Sequence, residues 1–180
     1  MSQSLNETIA VLERTPATLN ALLRDLPQMW TMNNEGPNTW SAHGVIGHLI
    51  HGEQTDWMPR VKMILESGER ATFARFDRQG HQDSTQDQPI ENLLDEFASL
   101  RAENLSALRA LNLQPKDLDR RGRHPVLGVV TLSQLLATWA VHDLTHLHQI
   151  SRILAHQYRD EVGLWSAYLG VLKCAGHSSP

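Results

Sequence analysis

The sequence of 180 residues contains a single cysteine, Cys174, so no disulfide can form within the chain. The absence of a disulfide within the chain favours a reducing compartment, and we expect the protein to be cytoplasmic. No apolar run approaches the roughly 18 residues that a membrane-spanning helix needs. The N-terminus also lacks the basic, apolar and small-residue regions of a signal peptide. We therefore expect neither membrane insertion nor export through a signal peptide.

Neither positive nor negative charge is in large excess, since the net charge is −4 and the isoelectric point is about 6.2. The basic surface of a nucleic-acid-binding protein is missing, so we expect no nucleic-acid partner. The sequence has no GxSxG, GxGxxG or Walker-type segment, so none of these motifs indicates its function. A hydrophobic content of 41% and a charged content of 20% are typical of a soluble globular protein. We predict that residues 1–180 form a single domain.

Histidines are numerous and unevenly placed, with ten in the chain and three each in residues 43–51 and 142–148. Residues 131–157 predict one long amphipathic helix. His142 and His146 lie four residues apart, about 40° from each other on the apolar stripe of that helix, whereas His148 points away from it. Two imidazoles in this position can bind one metal ion, but they can also be buried structural residues. A metal site needs at least a third ligand from elsewhere in the chain.

The remaining pattern predicts an all-α four-helix bundle with one long crossover. Loop residues at 27–39 and 69–88 separate the helical segments, and Phe73 and Phe76 are the expected anchors of the second loop. A short hairpin or an extended segment is expected around Gly128, just before the fourth helix. A short C-terminal helix that packs on the body is predicted at 162–173, with Trp165 in the core. The four long helices are predicted at 4–26, 41–68 (with a bend or break at Pro59), 89–111 and 131–157. Ser41 and Thr131 are the expected N-caps of the second and fourth helices.

His48 in the second helix is harder to interpret, because it flanks the apolar face instead of lying at its centre. Gly52, one turn further on, would leave room beside the imidazole for an ion or a ligand. The pattern alone leaves the role of His48 open.

Taken together, Trp40-Ser41 before VIGHLIHGE, the long loop, and PVLGVVTLSQLL leading to HDLTHLHQISRIL resemble the DinB/YfiT-like superfamily. The resemblance covers about residues 5–158. It implies an up-down-down-up bundle with a divalent metal, zinc or nickel, bound by His48, His142 and His146. It leaves Glu53, where some relatives have another histidine, outside the ligand set. Relatives include S-transferases that depend on bacillithiol or mycothiol and a thiol-dependent maleylpyruvate isomerase, and they often form dimers, so a homodimer is expected.

Three neutral imidazoles leave a coordination position of zinc or nickel open, as in catalytic sites. The first hypothesis is a transferase that conjugates a low-molecular-weight thiol to a small electrophilic substrate, because a divalent ion lowers the pKa of a thiol. The second is a metal-dependent hydrolase, with Glu53 or Asp56 as general base and Asp143 orienting a neighbouring group. Each of these acids can also be a solvated or capping residue. The third is a non-catalytic module that binds a metal or ligand. Cys174 is not expected to replace the thiol.

Overall fold

The computed structural model describes residues 4–80, 85 and 87–174. The helices follow the predicted order, with the first and second bundle members each divided into two segments. The second half also contains a two-stranded antiparallel hairpin. The elements are α1 (Leu5–Leu12), α2 (Arg14–Leu23), α3 (Gln28–Met32), α4 (Ala42–Thr55), α5 (Trp57–Ser67), α6 (Ile90–Ala110), α7 (Pro115–Leu118), β1 (Arg121–His124), β2 (Gly128–Thr131) and α8 (Leu132–His156).

Side-chain caps fix where the two histidine-bearing helices begin. The Ser41 hydroxyl accepts a hydrogen bond from the backbone N–H of Gly44 at 3.1 Å, which confirms Ser41 as the N-cap of α4. Thr131 and Gln134 form a reciprocal capping box at the start of α8. Both caps were predicted from the sequence, and they satisfy backbone N–H groups in the first turn of each helix that carries the histidines.

The second bundle helix divides at Asp56, three residues before Pro59. Pro59 lies in the first turn of α5, where its missing N–H needs no helical partner. Predicting a bend or break near this proline was therefore correct. The break turns Trp57 inward, and its ring stacks on that of Trp139 with centroids 5.6 Å apart.

The apolar core forms two clusters, one towards each end of the bundle, and their members give the helix directions. The first contains residues from α1, α5, the end of α6 and the start of α8. The second contains residues from α2, the start of α4, the start of α6 and the end of α8. The α1–α2 and α8 segments therefore run one way and the α4–α5 and α6 segments the other. This is the predicted up-down-down-up four-helix bundle.

The hairpin closes one end of the bundle and holds the beginning of the crossover. The N–H of Phe73 donates to the carbonyl oxygen of Arg123 at 2.9 Å, and the Phe73 ring is buried. Gly122 permits this approach, because a Cβ there would lie 2.7 Å from Ile64 and 2.9 Å from Phe73. Phe73 is thus confirmed as an anchor, and its contact brings β1 beside the first part of the crossover. Residues 81–84 and 86 of this predicted loop lie outside the described residues.

The C-terminal segment differs from the predicted short α-helix. It consists of two 3₁₀ turns, Gly163–Tyr168 and Gly170–Leu172. Trp165 was expected in the core but is 73% exposed, so that expectation was wrong. The composition correctly indicated helical turns but not their exposure, since Leu164 and Tyr168 are also largely exposed. Among the described helices, none is both long and apolar enough to cross a bilayer.

Candidate metal centre

Three histidines from two helices converge between the apolar clusters. The Nε2 atom of His142 lies 3.1 Å from Nε2 of His48 and 3.1 Å from Nε2 of His146. One ligand nitrogen from each ring falls within 4.8 Å of the other two. Nitrogens bound to a single tetrahedral zinc at about 2.0–2.1 Å would be separated by roughly 3.3 Å. The donor set therefore fits one divalent ion without rearrangement of the helices.

The hydrogen bond behind His146 directs a lone pair into this cluster. Nδ1–H of His146 donates to Oε1 of Gln149 at 2.8 Å. An amide oxygen can only accept, so the proton of the neutral ring resides on Nδ1 and Nε2 carries the lone pair. This is how a supporting residue orients a metal-binding histidine. Gln149 belongs to the motif that suggested the family resemblance, but sequence reasoning gave it no role.

Electrostatics keep His142 in the neutral form that a metal requires. Burial lowers the pKa of His142 to about 3, and repulsion from the charges of Arg101 and Arg78, and from His146 whenever that ring is protonated, acts in the same direction. Its Nδ1 atom is buried and has no hydrogen-bond partner among the described residues. An imidazole that resists protonation offers its Nε2 lone pair throughout the physiological pH range.

The three histidines open onto a cavity of about 320 Å³. Aromatic rings form much of its wall: Phe76 meets His48 edge-on with centroids 5.4 Å apart, and Trp57 meets His142 edge-on at 5.1 Å. Asp56, Arg60 and Arg78 are the charged residues that line it. No cysteine or serine lines the cavity in the described part of the chain. Any sulfur or hydroxide nucleophile would therefore arrive with a ligand or from water.

Gly52 lines this cavity, as the sequence predicted, but for a different local reason. A Cβ at Gly52 would lie 3.2 Å from Nε1 of Trp57. The missing side chain therefore lets the Trp57 indole pack against α4. The indole in turn reaches His142, so the glycine shapes the wall of the cavity beside the histidines.

Behind the histidines lies a buried charged cluster centred on Arg101 of α6, which is 1% exposed. Its guanidinium donates to both carboxylate oxygens of Asp143 at 2.6 and 3.0 Å, to Oε1 of Glu53 at 2.8 Å and to the carbonyl oxygen of Leu12 at 2.8 Å. Burial by itself would lower the pKa of Arg101, but the bonds and charges of Asp143 and Glu53 outweigh burial and raise it. Arg101 thus links α4, which carries His48, to α8, which carries the other two histidines.

The acids proposed from the sequence have different roles from those expected. Glu53 and Asp143 are 2% and 0% exposed, so interpreting them as solvated or capping acids was wrong. Trp139 Nε1 and Asn104 also donate to the Glu53 carboxylate, at 3.0 Å each. Glu53 does not line the cavity, and its carboxylate is committed to this cluster. Sequence patterns could not show this, because the partners of Glu53 come from α6 and α8.

Asp56 is the acid that does line the cavity. It pairs with Arg60 at 2.6 Å, and burial raises its pKa to about 6 although the Arg60 charge acts in the opposite direction. Burial likewise lowers the pKa of Arg60. Asp56 is therefore the candidate general base that the geometry retains.

Two further predictions for residues outside the cavity have clear outcomes. His148 is exposed on α8, as its angular position indicated. Cys174 is exposed and is not among the residues that line the cavity. Sequence reasoning missed His124, Arg60 and Arg78 as cavity residues. They lie outside the histidine motifs: α5 carries Arg60, while the folded crossover and hairpin bring Arg78 and His124 to the cavity.

Comparison with known proteins agrees with this geometry. The model of the DinB superfamily matches residues 11–150. A protein from Oceanobacillus iheyensis, which carries the provisional name metal-dependent hydrolase OB0782, is 25% identical over 155 residues, covering 83% of this chain and 85% of the relative. The structure of YfiT from Bacillus subtilis, described as a probable metal-dependent hydrolase with an unusual four-helix bundle topology, aligns with a TM-score of 0.73 at 19% identity, covering 87% of each chain. The family match spans most of the described bundle and includes all three converging histidines, and the chain belongs to the DinB superfamily.

Proposed function

We propose that His48, His142 and His146 bind one divalent metal ion, zinc or nickel, and that the site catalyses transfer of a low-molecular-weight thiol to an electrophile. The observation that carries the proposal is the convergence of three Nε2 atoms beside an open cavity. An ion held by three neutral ligands keeps its double positive charge and a free position, where it lowers the pKa of a bound thiol or water. The described lining includes no cysteine or serine, and its one threonine hydroxyl, on Thr145, donates to the carbonyl oxygen of Val141 at 2.8 Å, which supports a nucleophile delivered as a small molecule.

The protein residues have separate tasks in this reaction. The aromatic rings of Trp40, Trp57 and Phe76 line the cavity, bind the apolar part of the substrates and exclude water. Asp56 is mostly ionised at neutral pH and accepts the proton that the thiol loses. The thiol sulfur then forms a bond to the electrophilic carbon, and the leaving group departs with the electron pair of its own bond. The products are a thioether and the leaving group, which takes up the proton.

Hydrolysis is the second candidate, because both named relatives are described as metal-dependent hydrolases. Water would replace the thiol, and Asp56 would accept its proton during attack on an ester or amide carbon. We favour Asp56 over Glu53 as the base, because the Glu53 carboxylate is bound by Arg101, Trp139 and Asn104.

The metal site is tested by measuring bound zinc and nickel after equilibration and gel filtration. The variant with His142→Ala and His146→Ala together should lose the ion, and His48→Ala should weaken it by at least tenfold. His148→Ala is the matched control, because it removes an exposed imidazole from the same helix. Unchanged metal content in the double variant would refute the site.

The reaction is tested with the metal-loaded protein, monochlorobimane and a panel of small thiols. Conjugation that requires both metal and thiol supports S-transfer. Cleavage of a p-nitrophenyl ester with metal but without thiol supports the hydrolase instead. A loaded protein with neither activity would favour the remaining hypothesis, a non-catalytic binding module.

A further inference from the structure

We propose that the ligand of this cavity carries a carboxylate and that Arg78 binds it. This inference rests on the proposed function, because it names the chemical class of the molecule that enters the same site. Arg78 is a cavity residue that neither the histidine motifs nor the comparisons assign to any role.

In the part of the chain that the structure describes, the charges around the cavity leave Arg78 without a counter-ion. Asp56 and Arg60 neutralise each other through their 2.6 Å ion pair. Arg78 makes no hydrogen bond or ion pair within the described residues and presents its charge at the exposed side of the cavity. An arginine at the wall of a half-enclosed apolar cavity has its full hydrogen-bonding fork available to a ligand.

The charges that line the cavity, together with those of the buried cluster behind it, do not cancel this positive potential when an ion is bound. The buried cluster of Arg101, Glu53 and Asp143 carries one net negative charge. A divalent ion contributes two positive charges and Arg78 one more, so the cavity stays positive and favours an anionic ligand. A single planar guanidinium matches a carboxylate, which it can bind through two parallel hydrogen bonds.

The segment that carries Arg78 is attached to α4 on both sides. On one side, the Phe76 ring packs on His48 and on His51, with centroids 5.4 and 5.1 Å apart. On the other side, Gly80 lies so close to His51 that a Cβ there would be 2.8 Å from its ring. Between them, Asp77 accepts hydrogen bonds from the N–H groups of Gln79 at 3.0 Å and Gly80 at 3.3 Å. This turn fixes the backbone of Arg78 beside the cavity.

The chemistry suggests how such a ligand lies in the site. Its thiol or other reacting group faces the histidines, its apolar body lies along the aromatic wall, and its carboxylate reaches Arg78. Neutral molecules of the same size lose only the last contact. The expected signature is therefore a preference for the charged member of a matched pair, and Arg78 should account for that preference.

The test measures binding, not turnover, in protein loaded with Co²⁺. Two pairs matched in length, 3-mercaptopropionate with 3-mercapto-1-propanol and 6-mercaptohexanoate with 6-mercapto-1-hexanol, are titrated while the cobalt absorption spectrum is recorded. We expect at least one carboxylate to bind about tenfold more tightly than its alcohol. Arg78→Met should abolish this preference. Arg75→Met, which removes an exposed charge from the same loop but does not line the cavity, should keep it.

A second measurement separates failure of this inference from failure of the proposed function. Benzoate and benzamide are compared by calorimetry in the same metal-loaded proteins, because neither molecule depends on thiol chemistry. If thiols leave the cobalt spectrum unchanged but benzoate binds better in an Arg78-dependent way, thiol transfer is wrong and the carboxylate site stands. If no carboxylate is preferred, or if Arg78→Met retains the preference, the inference is overturned.

Discussion

Arg101→Met removes a buried cation that contacts all three other bundle members: Glu53 on α4, Asp143 on α8 and the carbonyl oxygen of Leu12 on α1. The guanidinium is 1% exposed and makes four hydrogen bonds, three of them to the carboxylates of Glu53 and Asp143. Methionine has a similar length and an apolar chain, so most of the volume is retained. The substitution therefore tests charge compensation more than packing.

The expected loss of unfolding free energy in Arg101→Met follows from the two carboxylates that remain buried. Removing one partner of a buried ion pair costs about 3–5 kcal/mol, because the other charge stays buried without compensation. Here Glu53 and Asp143 lose the same partner, which places the expected loss near the upper end, at about 5 kcal/mol. Since domains of this kind have a total stability of about 5–15 kcal/mol, the variant should be marginally folded. Without the bonds of Arg101, α4 should shift against α8, and this shift should also weaken metal binding.

The assay is urea unfolding followed by far-UV circular dichroism, with metal content measured on the same samples. Arg109→Met is the matched control: it lies in the same helix, and its ion pair with Glu13 is half-exposed. Exposed pairs contribute about 0–1 kcal/mol, so the control should remain close to the unmodified protein.

Two results would refute this reasoning. The first is a loss of unfolding free energy in Arg101→Met of less than about 1 kcal/mol, no larger than the loss in Arg109→Met. The second comes from combining Arg101→Met with Glu53→Gln and Asp143→Asn, which removes the stranded charges and should restore about half of the lost stability or more. If the combined variant is no more stable than Arg101→Met, the cost arises from packing and not from charge.

Three further predictions concern the site. Gln149→Ala should lower the metal affinity about 10- to 100-fold, because His146 Nδ1–H loses its acceptor. Gln149→Glu keeps an acceptor oxygen and should bind the metal more tightly than the alanine variant. Equal metal affinity in the two variants would contradict this role of Gln149. Because the folded pKa of Asp56 is raised to about 6 from 3.8, its contribution to stability is present below about pH 4 and is lost as the pH rises through 6. Asp56→Asn should remove this decline, worth up to about 3 kcal/mol, and an unchanged pH profile of unfolding would argue against the burial effect. Zinc at about 100 times its dissociation constant should stabilise the fold by about 2.7 kcal/mol and raise the melting temperature by roughly 5–11 °C, an effect absent from His142→Ala with His146→Ala.

The sequence predicts a residue's role well where neighbours along one helix determine it. His142 and His146 are four residues apart on an apolar stripe, and this spacing places both rings on one face wherever the helix packs. Ser41 and Thr131 act on backbone groups three residues away, so their capping roles are local too. His48 required the family resemblance, because its flanking position becomes meaningful only when two neighbouring helices cover it.

The sequence fails where a partner comes from a distant segment. Glu53 and Asp143 have the pattern of ordinary polar positions, and only Arg101, 48 and 42 residues away respectively, explains their burial. Arg101 itself lies in a leucine-rich helix with several exposed charges, so nothing local distinguishes it. Arg78 is a similar case, since the fold of the crossover alone brings it to the cavity.

The arrangement of acids and ligands on the two site-bearing helices explains why the charged cluster lies where the core divides. On α8, Asp143 follows His142 directly, so one side chain faces Arg101 while its neighbour faces the cavity. On α4, Glu53 is five residues beyond His48 and again reaches Arg101. A slide or rotation of α4 against α8 large enough to separate His48 from His142 must therefore also stretch charge-assisted bonds to Arg101. Apolar side chains in the same layer would allow such a slide at lower cost, because dispersion contacts are not directional. The buried charges thus hold the spacing of the imidazoles, and a core of leucines in their place would stabilise the bundle without fixing that distance.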